Sequence, residues 1–150
     1  MMLTTSDPVA VANRLRPLLL QLNRHLRQEL AGLGITAGQS ALLHTIRTHP
    51  GIGLRDLARL EGVSSPAMSG YVDRLENAGL VSRRRPATGD RRRVGLVVSP
   101  AGLRVLRSAR SRRTAWLAQR LRRLSAEQLL ALDGALEPLQ ALLAADGEAA

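Results

Sequence analysis

Between residues 83 and 93 stand six arginines and one acid: Arg83, Arg84, Arg85, Arg91, Arg92, Arg93 and Asp90, a local charge of +5. Arginine stays charged at any physiological pH and presents a planar fork of donors. It therefore grips phosphate oxygens in pairs and suits a narrow minor groove. Ahead of this run lies a different set: Ser64, Ser65, Pro66, Ala67, Ser69 and Gly70, then Arg74. Serine can donate to or accept from either kind of base pair, and alanine can touch a thymine methyl. No arginine occupies residues 64 to 70, so the bidentate arginine–guanine contact is missing there and the affinity must come from elsewhere. The chemistry these residues suit is binding to duplex DNA. Ser64, Ser65, Pro66, Ser69, Gly70 and Arg74 are expected in or near the major groove, Arg91 to Arg93 at the tip of a wing, and Arg55 with Arg83 to Arg85 mostly at phosphates. Asp90 is expected to pair with Arg92 or Arg93 and brace the loop. Taken alone, such a basic run is also compatible with a solvated hairpin that has no partner.

Chemistry of other kinds finds little support. No serine–histidine–acid set, paired-carboxylate pattern or phosphate-binding glycine loop is present, and an enzyme is not expected. The three histidines, His25, His44 and His49, do not share a metal-binding spacing. With no cysteine there is no thiolate metal site, disulfide framework or cysteine redox switch. No metal and no cofactor are expected. His25 reads as a surface or packing residue, with pH sensing or effector contact as the alternative. Trp116, one of two large aromatics with Tyr71, either fills an interface or lines an effector cleft.

The elements that must position these residues follow from periodicity and caps. Leu54, Leu57, Ala58 and Leu60 make a short helical stripe that ends at Gly62. Ser64 or Ser65 caps the next helix and Pro66 suits its first turn. Met68, Val72 and Leu75, joined by Tyr71, form its inward face, and Gly79 stops it. Leu80 and Val81 open a strand, Pro86, Thr88 and Gly89 make a turn, and Val94, Leu96 and Val98 alternate as a second strand. This is helix, turn, helix, then a two-stranded wing. Upstream, Thr36 caps a helix reaching about Thr48, and Ile52 is a candidate for a short third strand.

The two ends of the chain are rich in leucine. Asp7 and Pro8 open a first helix carrying Leu15, Leu18, Leu19, Leu22, Leu26 and Leu30 to about Ala31. Ser99 and Pro100 open a fifth, running to about Leu124 with Leu121 on its stripe and eight arginines without an acid. Ser125 and Gln128 form a capping box for a sixth, in which Leu129, Leu132, Leu136, Leu139 and Leu143 repeat at steps of three and four like a coiled-coil seam. Pro138 is expected to kink or interrupt it. From residue 125 onward the charge is −5. Leu15, Leu18, Leu22, Leu121, Leu129, Leu132, Leu136 and Leu139 are expected to form a helical dimer interface.

The order L-x-x-L-A at Leu54–Ala58, G-V-S-x-P at Gly62–Pro66, L-E-x-x-G-L-V at Leu75–Val81 and G-D-R-R-x-x-x-L-x-x-S-x-x-G at Gly89–Gly102 resembles the MarR family of bacterial transcription regulators. Ile35-Thr36-Ala37-Gly38-Gln39 is similar to that family's opening of its second helix. The resemblance implies an obligate homodimer, recognition helices in adjacent major grooves, wing tips in flanking minor grooves and, often, a small-molecule effector.

Composition agrees. The 150-residue chain is 45% hydrophobic with an almost wholly aliphatic core, carries +10 at pH 7, and draws all 22 basic residues from arginine. Such a balance points to nucleic acid or an anionic membrane. No apolar run approaches the roughly 18 residues of a membrane span, and no signal peptide is visible, so a cytoplasmic protein is expected. The expected architecture is mainly α with a small β-wing: about six helices and a two- to three-stranded sheet. A winged helix-turn-helix at 35–99 would lie between dimerisation helices at 1–34 and 100–150. The function expected is a homodimeric regulator, a repressor at a pseudo-palindromic operator, relieved by an anionic or phenolic ligand whose binding residues the sequence does not mark. Two alternatives are a sequence-tolerant architectural DNA binder and an effector- or protein-binding module that has lost DNA binding.

Overall fold

The computed structural model describes residues 6–86, 89 and 92–144. Its elements are α1 (Pro8–Gln28), a 3-10 turn (Ala31–Leu33), α2 (Ala37–Thr48), α3 (Leu54–Glu61), α4 (Ser65–Asn77), β1 (Val81–Arg84), β2 (Gly95–Val98), α5 (Pro100–Leu121) and α6 (Ala126–Ala144). The class is mainly α with a two-stranded antiparallel wing, in which Val81 pairs with Val98 and Arg84 with Gly95. Ile52 contributes a single bridge to Leu96 rather than a strand.

Helix starts lie where the side chains can satisfy free backbone N–H groups. Asp7 accepts from Val9 and Ala10 with Pro8 in the first turn. Thr36 and Gln39 close a reciprocal capping box on α2. Ser64, rather than Ser65, caps α4 by accepting from Ala67 N at 3.3 Å. Gly62 ends α3 at φ 68°, a left-handed conformation that costs any residue with a Cβ. That conformation lets the chain reverse between α3 and α4. Ser99 does two jobs. Its hydroxyl accepts from Gly102 N at 3.0 Å and donates to the Gly79 carbonyl at 2.5 Å, so the start of α5 is tied to the end of α4.

The chain forms two compact units that meet in sequence between Arg113 and Thr114. In the first, α2, α3, α4 and the wing close on one core: Leu42, Leu43, Ile46, Leu57, Ala58, Met68, Val72, Leu75, Leu80, Val81 and Leu96. Stripes three and four residues apart supply it, and each fully buried aliphatic side chain contributes about 1.5–3 kcal/mol. Leu54 is half-buried against it, and two stripe members are exposed. Leu60 is 56% exposed and Tyr71 44% exposed. Steps of three residues on a 100° helix drift away from the stripe centre, so each stands at its margin. Tyr71 therefore does not join the inward face.

In α1 no residue is buried. Leu18, Leu19, Leu20 and Leu22 are exposed, Leu15 and Leu26 half-buried, and Leu30 beyond the helix end is buried. α1 ends at Gln28, earlier than the leucine spacing suggests, because the 3-10 turn takes over before Gly34 at φ 72°. Among the residues of the second unit, Ser125 and Gln128 form the capping box of α6, with bonds of 3.0 and 3.1 Å. Leu129, Leu132 and Leu136 are exposed, while Leu121 and Leu139 are half-buried. α6 continues as one helix through Pro138, which removes one backbone donor without interrupting it. Trp116 is buried, with the Arg120 guanidinium carbon 3.9 Å from its ring centroid.

Candidate nucleic-acid interface

The turn between α3 and α4 places the first turns of α4 at the surface. Ser65 and Pro66 are exposed, whereas Ala67, Ser69 and Gly70 are half-buried. Nothing lies within 4 Å of where a Gly70 side chain would begin, so the backbone there is open to close approach. Ser64 has its oxygen engaged as a cap but keeps its hydroxyl hydrogen for a partner. Arg74 is exposed one turn beyond Gly70. It lines a cavity of about 390 Å³ with Tyr71, Met68, Gln39, Thr36 and Glu61, where Glu61 accepts a 2.7 Å bond from the Thr45 hydroxyl. Tyr71 joins the candidate surface although its spacing assigned it to the core. Its amphipathic ring was the available signal, since a tyrosine hydroxyl favours a margin over a dry interior.

The wing separates its arginines. Side chains alternate across a strand, so neighbours on β1 face opposite ways. Arg84 and Arg85 line an open cleft of about 1020 Å³ at the outer end of the wing's strand ladder, together with Arg93 and, from the first turn of α3, Arg55. The acid on this cleft is Asp56, which is paired with Arg59. Arg83 turns the other way, toward α4. Its Nε donates to Glu76 Oε2 at 2.7 Å and its Nη2 to Asp73 Oδ1 at 2.9 Å. The Glu76 hydrogen bond leads in raising the Arg83 pKa above its ordinary value, with attraction to both carboxylates overcoming partial burial. Arg92 is exposed. Asp90 and Arg91, the expected brace and wing-tip contact, lie outside the described residues. Among the described residues no group of three or more histidines and acids could hold a metal ion, and no helix is long and apolar enough to cross a membrane.

A helix-turn-helix whose second helix is followed by a basic hairpin is a winged helix, built to set one helix and one loop against duplex DNA. Residues 35–94 match the model of the MarR family, and the winged helix-turn-helix of this chain is similar to that family's. Over 133 residues the chain is 29% identical to an HTH-type transcriptional regulator of Mycobacterium tuberculosis, covering 89% of this chain and 92% of the relative. Its fold is that of RV1404 from Mycobacterium tuberculosis, with a TM-score of 0.78, 23% identity, and coverage of 93% of this chain and 97% of the other. It also shares the fold of a MepR point mutant from Staphylococcus aureus solved bound to an oligodeoxyribonucleotide. There the TM-score is 0.69 at 21% identity over 89% of this chain and 97% of that one.

Proposed function

We propose that the protein is a homodimeric, sequence-specific transcription regulator that represses by occluding a promoter. One observation carries the reading: Arg55 from α3 and Arg84, Arg85 and Arg93 from the wing open on one cleft. Four cations held that close repel one another, and a polyanion crossing between helix and wing relieves the repulsion. Ser64, Ser65, Pro66, Ser69, Gly70 and Arg74 face base edges or the backbone beside them, Arg91 to Arg93 serve the wing tip, and Arg55, Arg84 and Arg85 hold phosphates. The shared fold with MepR bound to an oligodeoxyribonucleotide supports DNA as the partner.

Pairing rests on the leucine faces. Leu18, Leu22, Leu129, Leu132 and Leu136 remain exposed in the single chain, an apolar load that a second copy would bury. A twofold dimer reads a pseudo-palindrome with half-sites about one helical turn, or 34–36 Å, apart. Relief would come from a small anionic or phenolic ligand that binds two spacings of the recognition helices unequally, since equal binding shifts nothing.

The test is binding to the promoter DNA beside the protein's own gene, titrated with salt against a scrambled duplex. A preference of about 10³-fold or more, with two protected half-sites, is the expected result. Equal binding to both duplexes with a steep salt slope would replace this reading with a sequence-tolerant architectural binder. The half-burial of Ser69 and Gly70 gives that second reading its support. Binding to neither duplex would leave a module that has lost DNA.

A further inference from the structure

The wing contains one arginine whose surroundings set it apart. Asp73 and Glu76 stand three residues apart on α4 and so share a face. Val81 and Arg83 stand two apart on β1 and share the face turned to the helix, with Val81 buried and Arg83 beyond it at the rim. The Arg83 guanidinium meets both carboxylates along two of its nitrogens, at 2.7 and 2.9 Å. We propose, on the basis of the DNA-binding reading above, that Arg83 is a positioning residue: with Asp73 and Glu76 it clamps the base of the wing to the recognition helix, and it does not serve as a phosphate contact.

Charge and geometry support this. Two negative charges on a helix that lies against DNA would push phosphates away, and the clamp screens them with one guanidinium. A phosphate competing for Arg83 would have to approach two carboxylates that already hold it. Arg84, one residue on, faces the open cleft with Arg55 and is placed for a phosphate instead. The clamp also joins two elements that must engage adjacent grooves at once. β1 follows α4 after a turn of three residues, Ala78 to Leu80, and the hairpin beyond it is only four residues deep on each side. The bridge from Ile52 to Leu96 holds the β2 side of the hairpin through its backbone, whereas on the β1 side beyond Val81 the Arg83 ion pairs are what link the strand to α4. Loss of that link spoils the match between helix and wing on a particular sequence more than it spoils general attraction to a polyanion.

The experiment compares wild type with Glu76→Gln, Arg83→Gln, their double variant, Arg83→Lys and, as the phosphate-contact control, Arg84→Gln. Each is titrated with the duplex protected in the promoter experiment and with its scrambled counterpart, over a salt series. Glu76→Gln decides most, because removing an acid near DNA ordinarily tightens binding. A clamp predicts the reverse on the operator: affinity falls about tenfold there, as for residues in one coupled network, while scrambled binding holds or tightens. Arg83→Gln lowers the preference similarly with the salt slope unchanged, the double variant is no worse than either single one, and Arg83→Lys recovers part of the preference. Arg84→Gln instead weakens both duplexes alike and lowers the salt slope by about 0.9. Should Arg83→Gln behave as Arg84→Gln does, or Glu76→Gln tighten the operator, the clamp is overturned and the DNA reading stands. Simple loss of folded protein lowers both affinities without changing their ratio, and that result also counts against the clamp. A wild-type protein without operator preference overturns the specific-regulator reading, and the clamp's role in recognition with it.

Discussion

Arg83 and Arg84 are neighbours on one strand with opposite surroundings: carboxylates on one side, other guanidinium groups on the other. The same residue type can thus hold structure at one position and bind at the next, and alternation across the strand decides which. Replacing Arg91 and Arg92 together by alanine should lower operator affinity and reduce the salt slope by about 1.8, while the dimer mass stays unchanged. A gel shift over a salt series, beside light scattering, checks both halves; an unaltered affinity would remove the wing tip from the interface. The run of six arginines was plain in the sequence, but Arg83 reads there as one more basic residue. Its partners lie seven and ten positions back, across a helix end and a turn, where no local spacing rule connects them. Tyr71 illustrates the other limit. Its position three after Met68 is compatible with the stripe, and only the packed helix shows that it falls at the edge.

The elements themselves were legible because their ends are chemically marked. Asp7, Thr36 with Gln39, Ser64, Ser99 and Ser125 with Gln128 each satisfy backbone donors at a helix start, and Gly62 marks the turn between α3 and α4. What such marks leave open is how far a helix resists its own breakers. Pro138 takes one donor from α6, yet eighteen other residues carry the helix past it. Ser99 has the most consequence of these caps, since it joins two helices as well as starting one. Ser99→Ala should destabilise the protein by about 1–2 kcal/mol, as both a cap and a bond to the Gly79 carbonyl are lost. Thermal unfolding reads this directly, and a change below about 0.5 kcal/mol, the range of an ordinary surface substitution, would show that the two bonds do little. Clamp variants should barely move the same measurement, because exposed ion pairs contribute about 0–1 kcal/mol.

At the scale of the whole molecule, the first unit holds a closed aliphatic core while the leucines of α1 and α6 lie largely outside any core of the single chain. The heptad-like spacing in α6 indicated an apolar face, but a face of that kind is equally the mark of an interior helix, and only the exposure of Leu129, Leu132 and Leu136 separates the two. Leu136→Asp places a charge in the proposed seam and should halve the mass seen by light scattering at micromolar concentration, with operator affinity falling alongside. An unaltered mass would put Leu136 outside the contact. If two copies are needed to fill an operator and are mostly apart at cellular concentration, occupancy rises with the square of protein concentration. Halving the supply would then leave about a quarter of the complex, by mass action. Under that condition the bare leucine faces give the promoter a threshold: small changes in synthesis or turnover of the protein switch it more sharply than any single-site binder would.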